Sequence, residues 1–261
     1  MVEQSRIVGI VGGVGPYAGL DLTRKVLDQT RASTDQDHLN VVVLSWPREV
    51  PDRSAFLLGK STADPVPGLV RCVRALESLG AAVAGIACNT AHSPRLFDRL
   101  ISALRSGGSN IVVINMIEEV ARFIRVHYPD VRRVGVLATD GTVSSDAYGV
   151  VMGVEGLSAV YPDPQVQRDL VHAAIYDQNY GIKAFSAHVT GRARADVLEA
   201  ARHMVIEKGV EALVLACTEL PLAVSERVLH GRPVIDATVV LARALVAGVE
   251  PDKLKPIDTG V

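Results

Sequence analysis

Val8-Gly9-Ile10-Val11-Gly12-Gly13 and Val134-Gly135-Val136-Leu137-Ala138-Thr139 decide the fold class of this chain. Each is a short run of β-branched and small apolar residues that feeds a small-residue loop, the pattern of a buried first strand. Each is followed about 80 positions further on by a second such run that ends in cysteine, Gly85-Ile86-Ala87-Cys88 and Val214-Leu215-Ala216-Cys217. Two matches in the same order and at similar spacing point to two related halves. Working outward, apolar runs at 39–44 and 111–114 alternate with amphipathic stretches, which predicts strands and helices in turn around buried parallel sheets. The expected fold is α/β: two similar doubly wound parallel-sheet domains related by pseudo-twofold symmetry, with the active site in the cleft between them. The stretch 68–79 reads as a helix with Leu69, Cys72, Val73, Leu76 and Leu79 on one face and Gly80 as its cap, which makes Cys72 a core residue.

The composition narrows the function. A chain of 261 residues buries a substantial core without staples, and its formal charge of −2 comes from acidic and basic residues interspersed along the sequence. There is no basic stripe to track phosphates, so nucleic acid is not an expected partner. No apolar run is long enough to span a bilayer, and the start Met1-Val2-Glu3-Gln4-Ser5-Arg6 lacks the signal-peptide pattern, so no membrane association and a cytoplasmic location are expected. Three cysteines without a CxxC pair read as free thiols in a reducing compartment.

Ligands of parallel α/β sheets gather at the carboxyl ends of the strands, where Cys88 and Cys217 fall. Cys88 is followed by Asn89 and Thr90, and Cys217 by Thr218 and Glu219. A helix starting there would offer free N–H groups and a positive dipole end, which would lower a thiol pKa and bind a carboxylate. Two thiols facing each other across a cleft suit the inversion of a stereocentre, one sulfur removing a proton and the other returning one. For a Cα in near-attack contact with both, the sulfurs should stand roughly 7 Å apart, too far for a disulfide. Gly12-Gly13-Val14-Gly15 lacks the Lys-Ser/Thr of a phosphate loop and the dinucleotide spacing, so it reads as a tight turn that exposes backbone N–H groups to a small anion. His92 reads as a capping or core residue, since Cys and His at this spacing without further ligands make no metal site.

Gly12-Gly13-Val14-Gly15-Pro16, Pro51-Asp52-Arg53, Ala87-Cys88-Asn89-Thr90-Ala91-His92, Leu137-Ala138-Thr139-Asp140-Gly141-Thr142 and Ala216-Cys217-Thr218-Glu219-Leu220-Pro221-Leu222 together resemble the motifs of the aspartate/glutamate racemase superfamily, in order along nearly the whole chain. The Gly-Gly-x-Gly-Pro opening is similar to the aspartate racemase branch, glutamate racemases usually carrying an acidic residue followed by serine there. The resemblance implies a cofactor-independent amino-acid racemase with a small amino-acid substrate, no pyridoxal phosphate, no metal and a homodimeric assembly. It makes Cys88 and Cys217 the catalytic pair, gives Asn89, Thr90 and Thr218 the substrate α-carboxylate, and gives Arg53 and Lys183 a carboxylate each from opposite sides. Gly13, Thr139 and Glu219 complete the candidate substrate-binding set, Glu219 either orienting a thiol or capping its own helix. It also implies a first domain of residues 1–115 plus 234–261 and a second of 116–233.

Departures from the pattern stand at Gly19, where aspartate racemases often carry threonine, and at Trp46 and Arg48 before Arg53. Trp46 either packs under its loop or narrows the pocket. Related hydantoin racemases, maleate isomerases and arylmalonate decarboxylases use one or two similarly placed cysteines; the Pro-Asp-Arg and Gly-Gly-x-Gly-Pro motifs argue against them. A non-catalytic amino-acid-binding protein is the alternative from another class, but binding alone needs neither thiol.

Overall fold

The computed structural model describes residues 6–257 with the exception of Ser186. The outermost parts of the expected first domain, 1–5 and 258–261, lie outside the described residues.

Two parallel sheets carry the fold. The first holds β1 (Ile7–Val11), β2 (Asn40–Leu44), β3 (Ala81–Ile86) and β4 (Val112–Val113) in the order β2-β1-β3-β4. The second holds β5 (Arg133–Ala138), β6 (Ser158–Val160), β7 (Ala212–Ala216), β8 (Val228–Leu229) and β9 (Arg232–Asp236) in the order β6-β5-β7-β9-β8. With β5 matched to β1, β6 to β2, β7 to β3 and β9 to β4, the second order repeats the first, and β8 is an antiparallel addition on its edge. The two quoted stretches are therefore the same strand of two copies of one unit. All of β7 and all but the first residue of β5 are buried, which is why they read as unbroken apolar runs. β6, β8 and β9 gave no such signal: they are short or part-exposed, and β9 runs from an arginine to an aspartate.

Helices Pro16–Gln29 and Met116–His127 both pack on Ala237–Val249, which also lies against β3. One core cluster takes in Val8 and Ile10 of the first sheet, Val134, Val136 and Val214 of the second, and Leu22, Val120 and Leu241 of these helices. Each such side chain contributes about 1.5–3 kcal/mol by leaving water, so the two sheets are held as one body by shared apolar burial. Buried Lys25 pairs with Asp21 on its own helix and with Asp236 at 2.6 Å, while Asp236 caps the C-terminal helix through Thr238 N and Val239 N.

The helix expected at 68–79 spans Val66–Ser78 and buries Val66, Leu69, Cys72, Val73 and Leu76. Cys72 is core, as the periodicity required. Leu79 is not on that face: the helix ends before it, Gly80 turns the chain into β3 with φ 90°, and Leu79 is left 56% exposed. Among the described residues no helix is long and apolar enough to cross a membrane.

The glycine loop after β1 is pressed against the loop after β2. A Cβ added at Gly13 would stand 2.6 Å from the backbone nitrogens of Trp46 and Pro47, so backbone would have to move. Gly13→Ala is expected to cost about 1–3 kcal/mol, read as a lower urea midpoint at unchanged m-value; a midpoint equal to wild type would show that the loop yields freely. Trp46 itself is 44% exposed and contributes its main chain to this contact.

Candidate active site

The carboxyl ends of β3 and β7 bring Cys88 and Cys217 into the wall of one tight cavity. Its walls include Arg53, Asn89, Thr90, Thr139, Lys183, Thr218 and Glu219, so nine of the ten candidate site residues, the two cysteines counted with these seven, meet here. The tenth, Gly13, is one step out: it lines an adjoining vestibule with Gly15, Tyr17 and Asp52, which shares Val14, Arg53, Lys183 and Glu219 with the inner cavity. The two cysteine turns are tied directly, since Thr218 Oγ1 donates to the carbonyl of Ala87 at 3.1 Å. That bond commits the Thr218 hydroxyl proton to the chain itself and leaves the Thr218 main-chain amide outside it.

A hydroxyl cluster closes the floor between the halves. Thr90 lies 3.1 Å from Thr139 and 2.9 Å from Thr142, and Ser54 donates to Thr139 at 3.1 Å. Thr139 is also the N-cap of helix Asp140–Ser144. Asn89 is held by the fully buried Tyr148, whose hydroxyl donates to Oδ1 at 2.5 Å. Asn89 Nδ2 is then a buried donor with no protein partner among the described residues, and so is Arg53 Nε. Buried donors left this way are costly, and two of them beside one cavity suit an incoming carboxylate.

Arg53 starts a short helix, Arg53–Leu57, capped by the side chain of Asp52. Its guanidinium donates to the carbonyls of Val14, Val50 and Pro51, which fixes its plane and tethers the glycine loop. Burial works to lower its pKa, but the neighbouring Cys88 sulfur, Asp52 and Tyr176 together outweigh that and the guanidinium pKa is raised. A fixed cation therefore stands beside Cys88.

Cys217 is placed differently. Its S–H donates to Glu219 Oε2 at 3.0 Å, and the other carboxylate oxygen receives Lys183 Nζ at 2.6 Å. Burial first, and the Glu219 carboxylate second, push the Cys217 thiol well above the ordinary range. This corrects the expectation that a helix start would lower it. The helix that follows, Leu220–Ala223, is only four residues long, and desolvation outweighs whatever its dipole supplies. The turn after Cys88 likewise is a 3-10 segment, Asn89–His92, with the α-helix beginning only at Pro94. Glu219 occupies the N-cap position of its helix yet makes no capping bond; 96% of it is buried, and Lys183 lowers its pKa despite the opposing effect of burial. Lys183 accordingly meets Glu219 where the motif implied a substrate carboxylate.

His92 proves to be a core residue. Its Nδ1 lies 2.8 Å from the Cys88 carbonyl, its ring stacks on Phe97, and burial drives its pKa down to about 4, so it is neutral and braces the cysteine turn. Trp46 and Arg48 do not line the inner cavity, but Val14, Ser54 and Tyr176 do. Tyr176 lies under Lys183 Nζ, 5.4 Å from the ring centroid, and burial raises its hydroxyl pKa, keeping it protonated. Adjacency to Arg53 and to the Lys183 stretch was the signal by which Ser54 and Tyr176 could have been found. Among the described residues no three His, Cys, Asp or Glu side chains gather as a metal-holding group.

The sequence pattern of the Asp/Glu/hydantoin racemases matches residues 11–245. Among solved structures the chain is similar to the aspartate racemase of Picrophilus torridus, at 31% identity over 94% of both chains with a TM-score of 0.76. An aspartate racemase homologue from Pyrococcus horikoshii matches at 24% identity and TM-score 0.69 over 92% of this chain and 97% of that one. Glutamate racemase RacE1 from Bacillus anthracis shares the fold at 17% identity and TM-score 0.62, over 95% of this chain and 83% of that one.

Proposed function

The chain belongs to the Asp/Glu/hydantoin racemase family and is an isomerase, and from that premise we propose that it racemises aspartate or another acidic amino acid by moving the Cα proton between Cys88 and Cys217 without a cofactor. The observation that carries this reading is the meeting of two thiols from equivalent strand ends in one cavity with two cations, Arg53 and Lys183. Two cysteines at strand ends in a binding protein would need neither that symmetry nor a fixed guanidinium beside one sulfur.

In the proposed cycle Cys88, next to the Arg53 cation, is the base for the enantiomer whose Cα–H faces it, and Cys217, which carries its proton toward Glu219, is the acid. The Cα–H bond breaks toward Cys88 sulfur, the electron pair spreads into the substrate carboxylate, and the Cys217 proton arrives on the opposite face. Arg53 and the Asn89 amide stabilise the negative charge that grows on the carboxylate in the transition state. The opposite enantiomer runs the same steps with the thiols exchanged. The proposal includes a homodimer working in a reducing cytoplasm, where both thiols stay free.

The test is solvent deuterium incorporation at Cα, followed by proton NMR, for L- and D-aspartate and then other amino acids, with wild-type protein and no added cofactor. Exchange with loss of optical activity on aspartate is the expected outcome. Exchange confined to a neutral amino acid would keep the reaction and discard the acidic substrate, and no exchange on any substrate would discard the reaction.

A further inference from the structure

Among the described residues Glu219 is the one carboxylate lining the inner cavity, and it is shared. One oxygen accepts from the Cys217 thiol at 3.0 Å and the other from Lys183 at 2.6 Å. The loop after β1 closes on the same oxygen that Lys183 holds: a Cβ at Gly15 would lie 2.6 Å from Glu219 Oε1, so glycine there leaves the ion pair its space. The pair stands in the wall common to the vestibule and the inner cavity.

We propose that Glu219 is the proton acceptor of Cys217, and that it holds Lys183 until a substrate carboxylate takes its place. The inference rests on the acidic-substrate reading above. While Lys183 is on Glu219, the carboxylate is a poor base and the proton stays on sulfur. When the substrate's carboxylate recruits Lys183, Glu219 is left buried without its nearest cation, its proton affinity rises, and the proton passes from Sγ to Oε2. The Sγ–H bond breaks, an Oε2–H bond forms, and the net charge of the site is unchanged. The groups that face Glu219 and set this balance are Lys183 from the segment beyond Tyr176, Cys217 and Thr218 from its own turn, and Arg53 across the cavity. Thiolate therefore forms at Cys217 in the direction in which Cys217 is the base, and in the other direction Glu219 holds the proton ready to return through sulfur to Cα.

Glu219→Gln separates the two roles. The amide cannot take the thiol proton and no longer holds Lys183 by charge. Calorimetry with L-aspartate is expected to show binding about tenfold tighter than wild type, because the ligand no longer displaces an internal carboxylate. At the same time kcat for racemisation falls about 10²-fold, and its rising pH limb moves upward, since Cys217 must now lose its proton to solvent. A variant that was merely damaged would bind more weakly and keep its limb in place. Glu219→Asp, which restores the charge, should return affinity toward wild type and bring the limb back down. Weaker or unchanged aspartate binding in Glu219→Gln overturns the displacement, and an unchanged kcat or limb overturns the proton transfer. Failure of the functional reading is separate: it shows as absence of Cα exchange in the wild type, whereas the affinity comparison needs no turnover.

Discussion

Cys217→Ala is expected to lower aspartate racemisation by about 10⁴-fold, equivalent to about 5 kcal/mol of transition-state stabilisation, while L-aspartate still binds. The size follows from the two-base scheme. Removing either sulfur leaves no thiol to deliver or remove the proton on that face. Cys88→Ala should fall as far, because each turnover uses both sulfurs. The stability cost is smaller than the catalytic one: both side chains are small and edge a cavity, so little packing is lost. Loss of activity with retained binding, by calorimetry, is the signature to look for. A Cys217→Ala protein that racemised within tenfold of wild type would remove the second thiol from the mechanism.

Arg53→Lys should cost about 10²–10³-fold in kcat/KM, although it conserves charge. The guanidinium reaches three main-chain carbonyls, those of Val14, Val50 and Pro51, and still leaves Nε for a substrate oxygen. An ammonium on a flexible stem offers three donors from a single point, so it cannot fix the glycine loop, stand beside Cys88 and present a planar edge at once. Steady-state kinetics from both enantiomers check this, and the two directions must lose kcat/KM equally because the overall equilibrium constant of a racemisation is unity. A lysine variant with wild-type kinetics would show that charge alone suffices at this position.

The repeat, the strand ends and the membership of the two cysteines in one site were legible because they depend on local pattern. Apolar runs buried on both faces announce themselves without neighbours, and strand polarity puts each cysteine at the carboxyl edge of its own sheet. Arg53, Asn89, Thr90, Thr139 and Glu219 were legible through their motifs. Their partners were not. Nothing in the sequence around Thr218 says that its hydroxyl goes to Ala87 across the interface, and nothing around Lys183 says that it is held by Glu219. Tyr148 and Thr142 reach the site from helices whose burial is set by the other half of the molecule.

The sequence by itself determined a duplicated α/β unit and the cysteine that follows the third strand of each copy, because burial and strand polarity follow from residue order alone, while the cationic and hydroxyl residues that line the space between them were legible only through their resemblance to the family's motifs. Only the tertiary structure decided the electrostatic state of that space. A thiol's proton depends on desolvation and on charges within a few ångströms, and those come from segments distant in the chain: Arg53 beside Cys88, and Glu219 with Lys183 beside Cys217. The two halves repeat the same backbone, yet they set their two sulfurs in different fields.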